Sequence, residues 1–332
     1  MRSLLKRIQQ TAEEGLYRPD SGGGGLSFEP PPVQIRYVAS SGSDVTGTGS
    51  FSRPFATPAH AESVIIDATA LKPYAIFISP GTFAGDIALK PFISLRGIDP
   101  SDRPELTGTL SLDASFTDNQ SVSLDSCIFT HAQTIDFLAI ANPELDIVDC
   151  AFTGVVTLRG TNATTFRLRR NRFGNDTRFT DASDFETVGN VFANSDGGCV
   201  VSATDESGSW FSDGDSFEGA VTVIAVNPNT LSVQFTGSQI GNGSSLTLNG
   251  AGVTFIGSAG AIPPTITLLG GASAPVLATK ANGIGYAPTG AIGVVWAVST
   301  PSSVANPSVA GDSALDRIAA AVAGLLAPGG IP

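Results

Sequence analysis

Apolar and polar positions recur along the middle of the chain in a fixed unit: apolar, any, apolar, any, any, a small or polar residue, any, phenylalanine. The unit stands at Val122-Leu124-Cys127-Phe129, Leu145-Ile147-Cys150-Phe152, Phe166-Leu168-Asn171-Phe173 and Phe185-Thr187-Asn190-Phe192. It continues as Trp210-Ser212-Asp215-Phe217, Val233-Phe235-Ser238-Ile240 and a weaker Val253-Phe255-Ser258-Gly260, with an earlier copy at Ile76-Ile78-Gly81-Phe83. Starts from residue 122 lie 23, 21, 19, 25, 23 and 20 residues apart, so the unit is constant while the connection varies. Every copy but the one at Phe185 is followed by a second alternating pair: Ile87/Leu89, Ile135/Phe137, Val156/Leu158, Thr177/Phe179, Val221/Val223, Leu246/Leu248 and Ile266/Leu268. Period-two alternation predicts strands with one face buried. Two or three short strands per repeat, with no helix between, predict an all-β, right-handed, single-stranded parallel β-helix in which each repeat is one coil. Phe129, Phe152, Phe173, Phe192 and Phe217 then form a ladder in the core.

Outside the repeat the pattern changes. Residues 3 to 16 read as a short helix, followed by Ser21 to Gly25 and the prolines 30 to 32, a flexible then stiff spacer. Residues 1–32 are therefore expected to form an anchoring arm and linker, and 33–270 the β-helix. Thr57 as N-cap and Pro58 at the first helical position start a helix near 58–71, with Val64, Ile65, Ala68 and Leu71 as its apolar stripe and the first coil beneath it. After Gly270 the repeat fades, and 271–332 reads as a C-terminal cap ending in a helix over 313–326. Leu315, Ile318, Val322 and Leu325 give that helix a seam for oligomerisation.

The segment from Tyr37 to Leu71 resembles the opening motif of the pectin-lyase-like β-helix superfamily. The residues that carry the resemblance are Tyr37-Val38, Gly42, Asp44, Gly47 and Gly49, Pro54-Phe55-Ala56-Thr57 and Ala61, then Ile78 to Phe83 and Ile93 to Gly97. It implies the fold and leaves the activity open, because the superfamily contains polysaccharide lyases, hydrolases, phage tailspikes and viral surface proteins.

Composition narrows the functions. A net charge of -12 argues against a basic surface for nucleic acid. Arg2, Lys6 and Arg7 interrupt any apolar run at the start, which reads as neither a secretory signal nor a membrane span, and assembly in a cytosol is expected. Three cysteines, Cys127, Cys150 and Cys199, are too few for a disulfide framework and show no zinc spacing. Adjacent-coil spacing permits a Cys127–Cys150 disulfide, but a reducing compartment disfavours it.

Candidate chemistry is sparse. With the repeat as a ruler, Asp146, Arg167 and Glu186 share one outward column, and Asp149 lies beside Arg170 in another. Acids thus alternate with arginines, a pattern of cross-strand ion pairs, while Arg167, Arg169, Arg170 and Arg172 form a candidate glycan-binding face. Asp213 and Asp215 could be a calcium or catalytic pair, but Asp215 falls in the inward Cys/Asn/Ser column. His60 and His131 lie in different elements. No catalytic residue, metal site or cofactor is assigned. The favoured reading is a virion structural protein: a β-helix spike, decoration or minor capsid subunit, a homotrimer joined by its C-terminal helices. Its arm would meet other capsid proteins, and its body would serve attachment to a host-surface glycan. In coupling the opening motif to "ALDRIAAAVAGLL" the chain resembles β-helix surface proteins of large DNA viruses of algae and protists. The alternatives are a polysaccharide lyase or tailspike-type depolymerase, or a non-catalytic glycan-binding adhesin.

Overall fold

The computed structural model describes residues 33–137, 140–161, 163–193, 198–205, 207–226, 228–240, 245–250, 253–258, 265–269, 276–278, 287–289 and 295–297. The expected arm of residues 1–32 and the helix expected over 313–326, with Leu315, Ile318, Val322 and Leu325, lie outside the described residues. The fold is all-β, a parallel β-solenoid in two compact units that divide between Val155 and Val156.

In the first unit, five-residue strands Gln34–Val38, Tyr74–Ile78, Ile93–Gly97, Ser121–Asp125 and Glu144–Val148 stack in parallel in that order. Two-residue strands Thr82–Phe83, Glu105–Leu106, Ile128–Phe129 and Ala151–Phe152 form a second parallel stack. Ile87–Leu89 pairs with Leu110–Leu112. In the second unit the long strands run from Thr165–Arg169 through Asp184–Val188, Gly208–Asp213, Leu231–Thr236, Val253–Ser258 and Val276–Ala278 to Val295–Ala297. The short stack is Arg172–Phe173, Val191–Phe192, Ser216–Phe217 and Gln239–Ile240. A third stack runs from Val156–Arg159 to Ala287–Thr289. Parallel pairing therefore continues past residue 270, where the repeat fades in the sequence.

Alternation decides which side chains fill the interior. Val122, Leu124, Leu145 and Ile147 are buried while Ser123 and Asp146 face outward at the matching register. Phe129 and Phe152 stack face to face, with centroids 4.9 Å apart and planes 13° apart. Phe192 lies between Phe173 (4.9 Å, 10°) and Phe217 (4.7 Å, 5°). Each buried ring contributes about 1.5–3 kcal/mol of burial. The copy at Phe185, which lacks a second pair at the usual offset, has one at Cys199/Val201 within Gly198–Ala203. Cys199 faces inward there, between Thr177 and Val221.

The corner between long and short strands is built from one residue in the left-handed region followed by one inward polar or thiol side chain. Ser126, Asp149, Arg170, Gly189, Gly214 and Gly237 occupy the first position with φ of 53° to 66°. This bend turns the chain out of the long strand within one residue, and the corner N–H groups bond along the stack, Gly189 to the Asp213 carbonyl at 2.8 Å and Gly214 to that of Thr236 at 2.9 Å.

The helix α1, Pro58–Ser63, is shorter than its expected stripe. Ile65 is buried, but Val64, Ile66 and Leu71 are exposed. The β-branched run Val64-Ile65-Ile66 is a poor helix former, and the Lys90 ammonium takes the carbonyls of Glu62, Ser63 and Ile65, which ends the helix at that point.

Candidate functional site

Residues between Tyr37 and Ala61 work together at one end of the first unit. Asp44 accepts hydrogen bonds from Ala56 N–H (2.7 Å), Thr57 N–H (3.1 Å) and the Thr57 hydroxyl (2.7 Å). Partial burial works against its charge, but these bonds prevail and hold the carboxyl below the usual aspartate value. Thr57 in turn caps α1 by accepting from the His60 N–H. Gly42 runs so close to Phe55 that a Cβ there would stand 2.2 Å from the Phe55 carbonyl oxygen. The loop thus returns Phe55 onto Val38 and Tyr37, covering the outer edge of the first strand.

On the underside of the same cap lies a titratable group with no counterpart in the expected site. Pro58, Ala61 and Glu62 are the buried residues of α1. Glu62 is 2 % exposed; its Oε1 accepts the Lys90 backbone N–H at 2.8 Å, and its Oε2 is buried without a hydrogen-bond partner. Burial pushes the carboxyl up to about 8, with Asp113 adding to the rise and the Lys90 N–H and ammonium opposing it. The spacing Pro58, Ala61, Glu62, Ile65 follows i, i+3, i+4, i+7, a signal that places Glu62 on the buried stripe.

The four arginines of the expected glycan face belong to one coil. Arg167 and Arg169 face outward and half-buried from Thr165–Arg169, Arg170 is exposed at the corner, and Arg172 is exposed on the next short strand. Arg167 and Glu186 are register partners, with Nε to Oε2 at 3.7 Å. Asp213 and Asp215 fall on opposite sides of the wall. Asp213 faces outward, whereas Asp215 is 1 % exposed. Asp215 Oδ1 accepts from the Asn190 N–H at 2.6 Å and Asn190 Nδ2 at 3.0 Å, and Oδ2 accepts from the Ser212 hydroxyl at 2.6 Å. Asn190 Oδ1 accepts from the Asn171 N–H at 2.8 Å, and the Asp215 N–H donates to the Ser238 hydroxyl at 3.2 Å. The inward polar column is thus an internal hydrogen-bonded ladder. Burial raises the Asp215 carboxyl above the usual value against these bonds.

His60 packs edge-on against Phe55, and His131 is exposed beside the Thr130 hydroxyl, so the two serve separate surroundings. Cys127, Cys150 and Cys199 are buried thiols outside any disulfide, and burial pushes all three up. Among the described residues no group of three or more His, Cys, Asp or Glu side chains could hold a metal ion, and no helix is long and apolar enough to cross a membrane. Compared with known proteins, the chain matches no family model, no curated protein and no solved structure.

Proposed function

We propose that this chain is a structural subunit of a virus particle: a β-helix spike or decoration protein of the pectin-lyase-like kind. Residues 1–32 attach it to other capsid proteins, the segment 313–326, with its seam of Leu315, Ile318, Val322 and Leu325, joins three copies, and the solenoid is presented for attachment to the host surface. The observation that carries this reading is how the described polar side chains are used. Several on the outer wall meet register partners along the stack: the Ser123 hydroxyl donates to that of Ser94 at 2.6 Å, and Arg167 forms an ion pair with Glu186 at 3.7 Å. Asp213 and Asp215, the acidic pair that looked like a calcium or catalytic site, are split between the two sides of the wall. These groups hold coils in register, whereas a glycosidase or lyase needs carboxylates or a base converging on one substrate bond. The resemblance of the opening motif and tail to viral β-helix surface proteins supplies the biological setting.

A non-catalytic glycan-binding role has one observation in its favour: Arg170 and Arg172 are both exposed on the same coil. Incubating the full chain with acidic and neutral polysaccharides, algal wall polymers among them, separates the readings. The structural reading predicts no release of oligosaccharide over a heat-inactivated control. Release would replace it with the carbohydrate-active enzyme, and saturable retention on one polymer that is lost in Arg170→Ala/Arg172→Ala would establish the adhesin.

A further inference from the structure

The cap over the first coils contains an acid that the architecture leaves unused. α1 packs on Gln34–Val38, Tyr74–Ile78 and Ile87–Leu89, and the residue that follows the last strand, Lys90, reaches back across it. The ammonium is spent on three carbonyls, those of Glu62 at 2.9 Å, Ser63 at 3.3 Å and Ile65 at 3.0 Å. The carboxyl of Glu62 receives only the Lys90 backbone N–H, and its second oxygen is sealed from solvent and from any donor. A neutral carboxylic acid tolerates that place, whereas a carboxylate there is a buried charge with one neutral donor.

We propose that Glu62 is a proton-operated latch: as the neutral acid it seats α1 on the end of the solenoid, and its ionisation loosens the cap. The charged and titratable groups around it fit this role. Lys90 is engaged as described, and Asp113, the other charge acting on Glu62, disfavours a second negative charge. His60, on the same helix, lies against the Phe55 ring. On the strands beneath, the Arg36 guanidinium lies over the Tyr74 ring, Tyr74 donates to Asp67, which also pairs with Lys72, and Tyr37 packs between Phe51 and Phe77. None of them gives Glu62 Oε2 a hydrogen bond.

The direction of the pH dependence follows from linkage. The closed cap keeps the Glu62 proton up to about 8, whereas the opened cap releases it near the ordinary value of 4.5. Between these values the closed form binds more protons, so its stability falls as pH rises through that window and levels off above it. The cap is therefore tightest in acid.

The full chain tests this by hydrogen exchange at pH 5.5 and 8.5, corrected for the intrinsic rate, at the amides of Val64, Ile65 and Lys90, which bond to His60, to the Glu62 carbonyl and to Glu62 Oε1. Wild-type protection is expected to fall about tenfold or more, since each unit of pKa difference is tenfold in the equilibrium, and Glu62→Gln to change less than about twofold. A flat wild-type profile, or an equal fall in Glu62→Gln, overturns the latch. Carbon-13 titration of the wild-type carboxyl needs no variant: a midpoint more than about 2 units above the ordinary glutamate value supports the latch, and a smaller rise overturns it.

Discussion

Asn190 and Asp215 sit one above the other in the same inward corner position of adjacent coils, and the Asp215 carboxyl accepts both the backbone and the side-chain N–H of Asn190. Since Asn171 and Asn190 hold the same position in the coils before it, an amide fits this column. Asp215→Asn keeps one acceptor oxygen for Asn190, and the Ser212 hydroxyl can turn to accept the new N–H. Asp215→Ala removes both acceptors and leaves buried donors unpaired, at a cost of about 1–3 kcal/mol. Because burial raises the Asp215 carboxyl, its ionisation opposes folding once the pH exceeds the ordinary carboxylate range. Urea unfolding is therefore expected to find Asp215→Asn gaining on wild type as pH rises from 3 to 7, and Asp215→Ala below both at neutral pH.

Phe192 has a ring on each side, Phe173 and Phe217, so its loss opens a cavity between two coils. Phe192→Ala is expected to destabilise by about 3–5 kcal/mol, and Phe192→Leu by less, because part of the volume is kept. Chemical denaturation of the two variants measures the difference. Equal stability of wild type and Phe192→Ala contradicts the ladder.

At Gly189 the requirement is conformational. Its φ is 63°, and an added Cβ would meet its nearest neighbour, Arg170 Cγ, at an ordinary 3.8 Å. Gly189→Ala is then expected to cost about 1–2 kcal/mol from backbone strain alone, and Gly189→Asn less, because asparagine enters the left-handed region more readily. Thermal unfolding of the two variants ranks them.

The three thiols are buried and their acidity is suppressed. A thiol reagent at pH 8 is expected to modify none of them quickly in the folded protein and all three after denaturation without reductant. Denatured protein in which only Cys199 reacts would reveal a Cys127–Cys150 disulfide.

Much of this fold was legible because one local rule repeats. In Val122-Leu124-Cys127-Phe129 the strand, corner and ring are specified within eight residues, and parallel stacking copies the rule from coil to coil. The coil at Ile93–Gly97 escaped because residues 98–104 intervene before Glu105–Leu106 and stretch the unit. The pair Cys199/Val201 escaped because its connection is longer than in the other copies. The left-handed corner had a signal in Gly189, Gly214 and Gly237, but Ser126, Asp149 and Arg170 hide it in the earlier coils. The Glu62–Lys90 contact depends on residues 28 apart, brought together by the cap, and no local periodicity joins them. For Asp149 and Cys150, periodicity separated two neighbours that look like reactive partners. Cys150 faces the core, and Asp149 is a left-handed corner whose carbonyl accepts from Arg103 at 2.7 Å.

In the proposed role this solenoid is a building block of a particle, held by the end at which the chain enters the β-helix. Electron cryo-microscopy of purified particles, with cross-linking mass spectrometry to identify the chain, tests it most directly. A solenoid on the particle with the Gln34–Val38 end nearest the shell, and cross-links from Lys6 to capsid chains, are the expected result. Absence of the protein from purified particles, or a solenoid whose Gln34–Val38 end points away from the shell, would contradict it.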